Sequence, residues 1–209
     1  MARPSLIFRQ LFEKESSTYT YILGCPSTRE AILIDPVLET AERDATVIKD
    51  LNLILKTVLN THCHADHVTG SAKLKALLGG GLKSAIAKAS GADADVLLEN
   101  SDKCAFGTRH VTVLSTPGHT DGCVCFLLDD NSMVFTGDAL MIRACGRTDF
   151  QAGSADTLYE SVHNKLFVLE EDCLVYPAHD YKGHTCSSIR EEKALNPRLS
   201  TTRPHSWKS

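Results

Sequence analysis

Thr61-His62-Cys63-His64-Ala65-Asp66-His67 places three histidines and one aspartate within six residues. The apolar run Thr57-Val58-Leu59 comes directly before it, so the cluster begins where a predicted strand, Lys56–Asn60, runs out into a loop. Neutral imidazoles and carboxylates are the donors that a borderline divalent metal ion prefers. The competing reading is a polar loop that happens to be rich in histidine. The rest of the chain argues against it by supplying the complement. His119 sits in Thr116-Pro117-Gly118-His119-Thr120, Asp138 in Phe135-Thr136-Gly137-Asp138 and His179 in Tyr176-Pro177-Ala178-His179-Asp180. Each follows an apolar stretch that reads as a strand.

The 209 residues suffice for one domain with a sizeable core, and 43% hydrophobic content fits a globular chain. A net charge of −4 argues against nucleic acid or a membrane surface as partner, since either needs a basic face. No apolar run approaches the length of a membrane span. Met1-Ala2-Arg3-Pro4-Ser5 leads into a strand-like segment without a signal or transit pattern, so the expected location is intracellular. Eight cysteines are present. Without a secretory signal they read as reduced thiols. Cys123 and Cys125 alternate along a predicted strand and should face one side of it, toward the core.

Strand-like runs open the chain at Leu6–Phe12, Thr18–Leu23 and Ala31–Ile34. The second alternates as a half-buried strand should. A helix follows, with Thr40 near its start and Val47, Ile48 and Leu51 on its apolar stripe. Ser71–Leu78 is a second helix, stopped by Gly79-Gly80-Gly81. In the second half, Val111–Leu114, Val124–Leu128, Met133–Phe135 and Leu174–Tyr176 read as strands. Thr157 with Glu160 suggests a capping box, and Ile189–Leu195 a last helix ending before Asn196-Pro197. Two packed sheets with helices outside accommodate this order. The expected organisation is one domain over residues 1–199 and a flexible tail over 200–209, where Trp207 and the basic residues Arg203 and Lys208 have little to bury.

The His-x-His-x-Asp-His cluster with His119, Asp138 and His179 resembles the metallo-β-lactamase superfamily. That resemblance implies an α/β (α+β) fold, an αββα sandwich of two mixed sheets flanked by helices, with metals at the edge where strands end. Five stretches are similar more narrowly to the persulfide dioxygenase family: Asn60–His67, Ser115–Thr120, Cys145-Gly146-Arg147-Thr148-Asp149-Phe150, Tyr176–Tyr181 and Asn196-Pro197-Arg198-Leu199. Two departures stand out. Ala144 replaces a glycine usual in the family, and the family continues into a further structured segment beyond Leu199. The family implies oxidation of glutathione persulfide by O₂ to sulfite and glutathione at one Fe(II) per chain, in mitochondrial sulfide detoxification, with a homodimer possible.

Carried over by motif, the iron ligands are His62, His119 and Asp138. Two imidazoles and one carboxylate form the facial arrangement of non-haem Fe(II) oxygenases. His64, Asp66, His67 and His179 are then outer residues that orient the ligands, or else ligands of a second metal, Zn or Fe, as in the hydrolases of the superfamily. Tyr181, Arg147 and Cys145 are catalytic candidates, and Arg147, Tyr181 and Arg198 substrate-binding candidates. Arg147 is open to two readings, a substrate carboxylate or Asp149. The alternative activity is glyoxalase II-like hydrolysis of glutathione thioesters at a two-metal site, which in that family comes with an extra helical domain. A non-catalytic binding protein is the third reading, and the intact ligand set speaks against it.

Overall fold

The computed structural model describes residues 6–79 and 81–200. Twelve strands fall into two six-stranded sheets. The first contains β1 (Ile7–Glu13), β2 (Thr18–Gly24), β3 (Glu30–Ile34), β4 (Ile54–Leu59), β5 (Lys83–Ala87) and β6 (Val96–Leu98), in that spatial order. Helix α1 (Ala41–Asp50) joins β3 to β4, and α2 (Ser71–Leu78) joins β4 to β5. The β3/β4, β4/β5 and β5/β6 pairs are parallel, whereas β1/β2 and β2/β3 are antiparallel. The second sheet contains β7 (Lys103–Phe106), β8 (Arg109–Ser115), β9 (Val124–Leu128), β10 (Met133–Gly137), β11 (Leu174–Pro177) and β12 (Ser187–Ser188). Its one parallel pair is β10/β11, bridged by α3 (Ala155–Ser161), while α4 (Ile189–Leu195) follows β12.

Alternation along the strands sorts side chains into three apolar layers. Tyr21, Leu23, Ile32, Ile34 and Leu59 face Val111, Phe126 and Phe135 between the sheets. Ile22, Leu33 and Val58 point outward and are covered by Ala41, Ala45, Ile48 and Leu74 of α1 and α2. Val134 and Val175 are covered by Leu158, Val162, Leu166 and Ile189 on the opposite side. This is the expected αββα sandwich. One local expectation changes: β2 is buried along its whole length, on both faces, because α1 and α2 cover the side that alternation alone would leave wet.

The cap of α3 differs from the expected Thr157–Glu160 box. Ser154 is the N-cap and its hydroxyl accepts from the Thr157 backbone N–H at 3.3 Å. Cys125 lies on β9, Cys123 precedes that strand, and both are buried; all eight cysteines are free thiols. No helix among the described residues is long and apolar enough to cross a membrane. Apart from Ser200, the proposed 200–209 tail lies outside the described residues, as does Gly80.

Asp44, fully buried on α1, pairs with Arg43 at 2.8 Å. Burial pushes its carboxyl up to about 6, against the pull of the Arg43 charge. The folded protein therefore keeps this proton between roughly pH 4 and 6 while the unfolded chain releases it. The contribution of Asp44 to stability is complete below about pH 4 and lost as pH rises through about 6. Relative to Asp44→Asn, the wild type should lose about 3 kcal/mol between pH 4 and pH 7, measured by urea unfolding across that range. Parallel profiles would show that Asp44 ionises freely in the folded state.

Candidate metal centre

His62 follows β4, His119 follows β8, Asp138 follows β10 and His179 follows β11, so four strand ends converge on one rim. Glycines make the approach tight. Gly137, immediately before Asp138, has φ +55° and lies so near Thr61 that a Cβ there would sit 2.8 Å from Thr61 Cβ. Gly118, before His119, has φ +136°, and a Cβ there would meet the Leu158 backbone nitrogen at 2.3 Å.

His62, His119 and Asp138 form one set whose candidate ligand atoms all lie within 4.8 Å of one another; His64, Asp66, His67 and His179 form a second. Hydrogen bonds decide which nitrogen each imidazole offers. The Thr61 hydroxyl donates to Asp35 Oδ2 at 2.8 Å, so its remaining lone pair accepts from His62 Nδ1 at 3.0 Å. That leaves His62 Nε2 as a bare lone pair. Burial, chiefly, and the neighbouring His64 push the His62 pKa well down, keeping the ring neutral. His119 Nδ1 donates to the Arg147 carbonyl at 2.7 Å, which likewise frees Nε2. Burial opposes ionisation of Asp138, but the charge and hydrogen bond of His179 prevail and hold its carboxyl well below the usual range.

These residues fit a divalent cation. His119 Nε2 and Asp138 Oδ2 face each other at 3.6 Å, an acceptor against an acceptor, and a cation between them turns that repulsion into ligation. The second set is tied up differently. His179 Nδ1 bonds Asp138 Oδ1 at 2.7 Å and its Nε2 bonds Asp66 Oδ2 at 3.0 Å. Its pKa is raised to about 10: burial works against the charge, and the two carboxylates outweigh it. His67 Nδ1 also bonds Asp66 Oδ2, at 2.9 Å. Both nitrogens of His64, and Nε2 of His67, are buried without a hydrogen-bond partner. His64 Nε2 does approach Asp35 Oδ1 to 3.2 Å, out of line for a hydrogen bond.

The first set opens into a pocket of about 500 Å³ whose wall includes Cys145, Arg147, Phe150, Tyr181 and Arg198. All the residues singled out as substrate or catalytic candidates are therefore together. Their states differ from one another. Tyr181 is 69% exposed and its ring lies parallel to His179, 6.2 Å between centroids. Arg147 makes a two-pronged ion pair with Asp149, at 2.8 and 3.0 Å. Cys145 is buried, and burial, against the pull of Arg198, pushes its thiol up, which disfavours a nucleophilic role.

Asp35 is a candidate site residue that the motif reading missed. It follows β3 with φ +49°, is 1% exposed, and accepts from both the Thr61 backbone N–H, at 2.7 Å, and the Thr61 hydroxyl. It thereby holds the first turn of the histidine loop. Its signal was available: a carboxylate directly after the apolar run Ala31–Ile34, the pattern shared by Asp138.

The metallo-β-lactamase superfamily model matches residues 14–179. The mitochondrial persulfide dioxygenase ETHE1 of Homo sapiens is 58% identical over 194 residues, covering 93% of this chain and 76% of the human protein. The chain belongs to the persulfide dioxygenase family. The crystal structure of ETHE1 from Myxococcus xanthus superimposes with a TM-score of 0.89 at 48% identity, covering 93% of this chain and 84% of that one. The hydroxyacylglutathione hydrolase of Rhodospirillum rubrum is more distant from this chain, 33% identical over 186 residues, covering 88% of it and 69% of the hydrolase.

Proposed function

We propose that the chain oxidises glutathione persulfide with O₂, giving sulfite and glutathione, at one Fe(II) held by His62, His119 and Asp138. The observation that carries this reading is the donor set: two neutral imidazoles with free Nε2 atoms and one ionised carboxylate on the wall of a substrate-sized pocket. Relatives at 58% identity named persulfide dioxygenase support the reaction.

Bound Fe(II) supplies the redox chemistry that O₂ requires. The protein supplies orientation. The Arg147 carbonyl and the Asp35–Thr61 pair fix the tautomers of His119 and His62, and His179 aligns Asp138. Because both His179 nitrogens are already bonded to carboxylates, His179 acts as an orienting residue. Arg198, on the pocket wall, offers a cation to a carboxylate of the thiol carrier. The Tyr181 hydroxyl offers a donor to the substrate sulfur. Tyr181→Phe should keep iron content unchanged and lower kcat/KM by roughly three- to tenfold, the loss of one hydrogen bond. An unchanged rate would make Tyr181 a packing residue only.

The test is oxygen uptake by anaerobically purified, Fe(II)-reconstituted protein on adding glutathione persulfide. Uptake with sulfite formed supports the dioxygenase; iron-loaded protein that consumes no oxygen overturns it. A second reading rests on the unpartnered nitrogens of His64 and His67, which would suit a second cation and thioester hydrolysis. Two bound metals per chain together with hydrolysis of S-lactoylglutathione would favour it. Mitochondrial placement belongs to this proposal and follows the human relative's name.

A further inference from the structure

Helix α4 carries Glu192, and Asn196 is its C-cap; both side chains are 0% exposed, and neither is used by the reaction proposed above. Buried polar groups persist where their hydrogen bonds are met. The Asn196 amide is satisfied at both ends. Its Nδ2 donates to Glu192 Oε2 at 2.8 Å and to the Ala144 carbonyl at 3.0 Å. Its Oδ1 accepts from the backbone N–H groups of Arg198, at 3.1 Å, and Leu199, at 3.2 Å. Acceptors surround one end and donors the other, so the amide can point only this way. Glu192 Oε2 anchors the arrangement by also accepting from the Arg143 backbone N–H at 2.9 Å. The tie falls on a backbone that needs one, since Arg143 has φ +57°. One buried amide thus fastens two separate stretches of chain, the turn around Arg143 and Ala144 and the turn that presents Arg198.

Both stretches reach the pocket. Ala144 and Arg198 lie on its wall, and three residues beyond Ala144 the Arg147 carbonyl holds His119. The metal side has a tie of its own, because the Gly146 N–H donates to the Asp138 carbonyl at 2.7 Å. Arg198 is exposed, and a long exposed side chain loses much rotamer freedom when it binds a partner. A backbone already held in place confines that search to the pocket wall. We propose that Asn196, anchored by Glu192, is a positioning residue for substrate binding: it holds the Arg198 backbone in fixed relation to the metal set, so that the guanidinium meets a carboxylate of the thiol carrier. The substrate role of Arg198 and the choice of glutathione as carrier rest on the functional reading above. Asn196 is fully buried and acts through Arg198. Its contribution is to affinity for the carrier, while iron retention stays with the ligands and their own ties.

Glutathione itself is the probe, titrated calorimetrically into iron-loaded protein under argon, with iron per chain measured alongside. Arg198→Ala should weaken binding at least about tenfold, the loss of a charge-assisted hydrogen bond. Asn196→Ala should weaken it about three- to tenfold and leave iron per chain unchanged. In the Arg198→Ala background the same change should cost less than about twofold, because the residue through which it acts is gone. Additive losses would overturn the inference and make Asn196 a general support of the fold. Glu192 supplies a second test should Asn196→Ala not fold. Glu192→Gln keeps an oxygen for the Arg143 N–H and the Asn196 amide and should bind glutathione within about twofold of the wild type. Glu192→Met keeps the volume, removes the acceptor and should bind about three- to tenfold more weakly. A packing role predicts that these two variants bind alike, and that result would also overturn the inference. Arg198→Ala binding glutathione as tightly as the wild type would overturn it at its premise, the substrate role of Arg198. Oxygen uptake plays no part in these titrations, so a failure of the dioxygenase reading shows in the activity assay and a failure of the positioning role shows in the binding cycle.

Discussion

Asp138→Ala yields folded protein that binds no iron after anaerobic reconstitution and dialysis. Asp138 is the one anionic member of the set that includes His62 and His119. Two neutral imidazoles alone cannot balance the charge of Fe(II) in a site where His62 and Asp138 are nearly cut off from water. The loss should exceed the roughly 100-fold that removing an outer orienting partner costs. Asp138→Asn is the stricter form, because it keeps the shape and removes only the charge; it too should fail to retain iron. The measurement is iron per chain by elemental analysis. Stoichiometric iron in either variant would remove Asp138 from the ligand set and direct attention to His64, Asp66, His67 and His179.

The second large effect falls on a residue outside the motif. Asp35→Ala leaves the Thr61 N–H and hydroxyl buried without their acceptor, and takes the carboxylate away from His64. Burial works against the Asp35 charge, but His64 and the Thr61 N–H hold its carboxyl below the usual range. The charge is therefore integral to the folded site. Breaking a buried pair from one side costs about 3–5 kcal/mol. For a chain of this size that lowers Tm by at least about 6 °C. The iron affinity should fall roughly 10- to 100-fold as well, because His62 Nδ1 loses the hydroxyl whose proton is committed to Asp35. Calorimetry and competition with a chelator measure the two effects. An unshifted Tm would mean that water replaces the carboxylate and that the loop holds itself.

The two predictions differ in how the residues came to light. Asp138 was legible because it ends an apolar run and completes a ligand pattern. Asp35 ends an apolar run in the same way, but its partners lie 26 residues away, and no local spacing links them. The helices and strands tell the same story. Ser71–Leu78 and Val124–Leu128 were readable to the residue, since long periodic patterns carry their own signal. Strands β5, β6, β7 and β12 were not read at all. Lys83–Ala87 has two alanines and a serine among five residues, and Val96–Leu98 has only three residues. Such segments become strands because β4 offers an edge to β5, and β5 in turn to β6. The cap of α3 was misplaced because Thr157 and Glu160 have the right spacing, yet Ser154, one turn earlier, is the residue whose backbone is extended.

What the sequence determined by itself is the kind of chemistry available: the number and type of donors and their position after strands. Those are properties of residue type and short-range periodicity. Only the tertiary structure decided which nitrogen each histidine presents, that Arg147 is paired with Asp149 and that Cys145 is buried. These depend on contacts such as Arg147 carbonyl to His119 and His179 to Asp66, which span 28 and 113 residues of chain. Hydrogen-bond direction and burial exist only once the two sheets have brought such distant strand ends to the same rim.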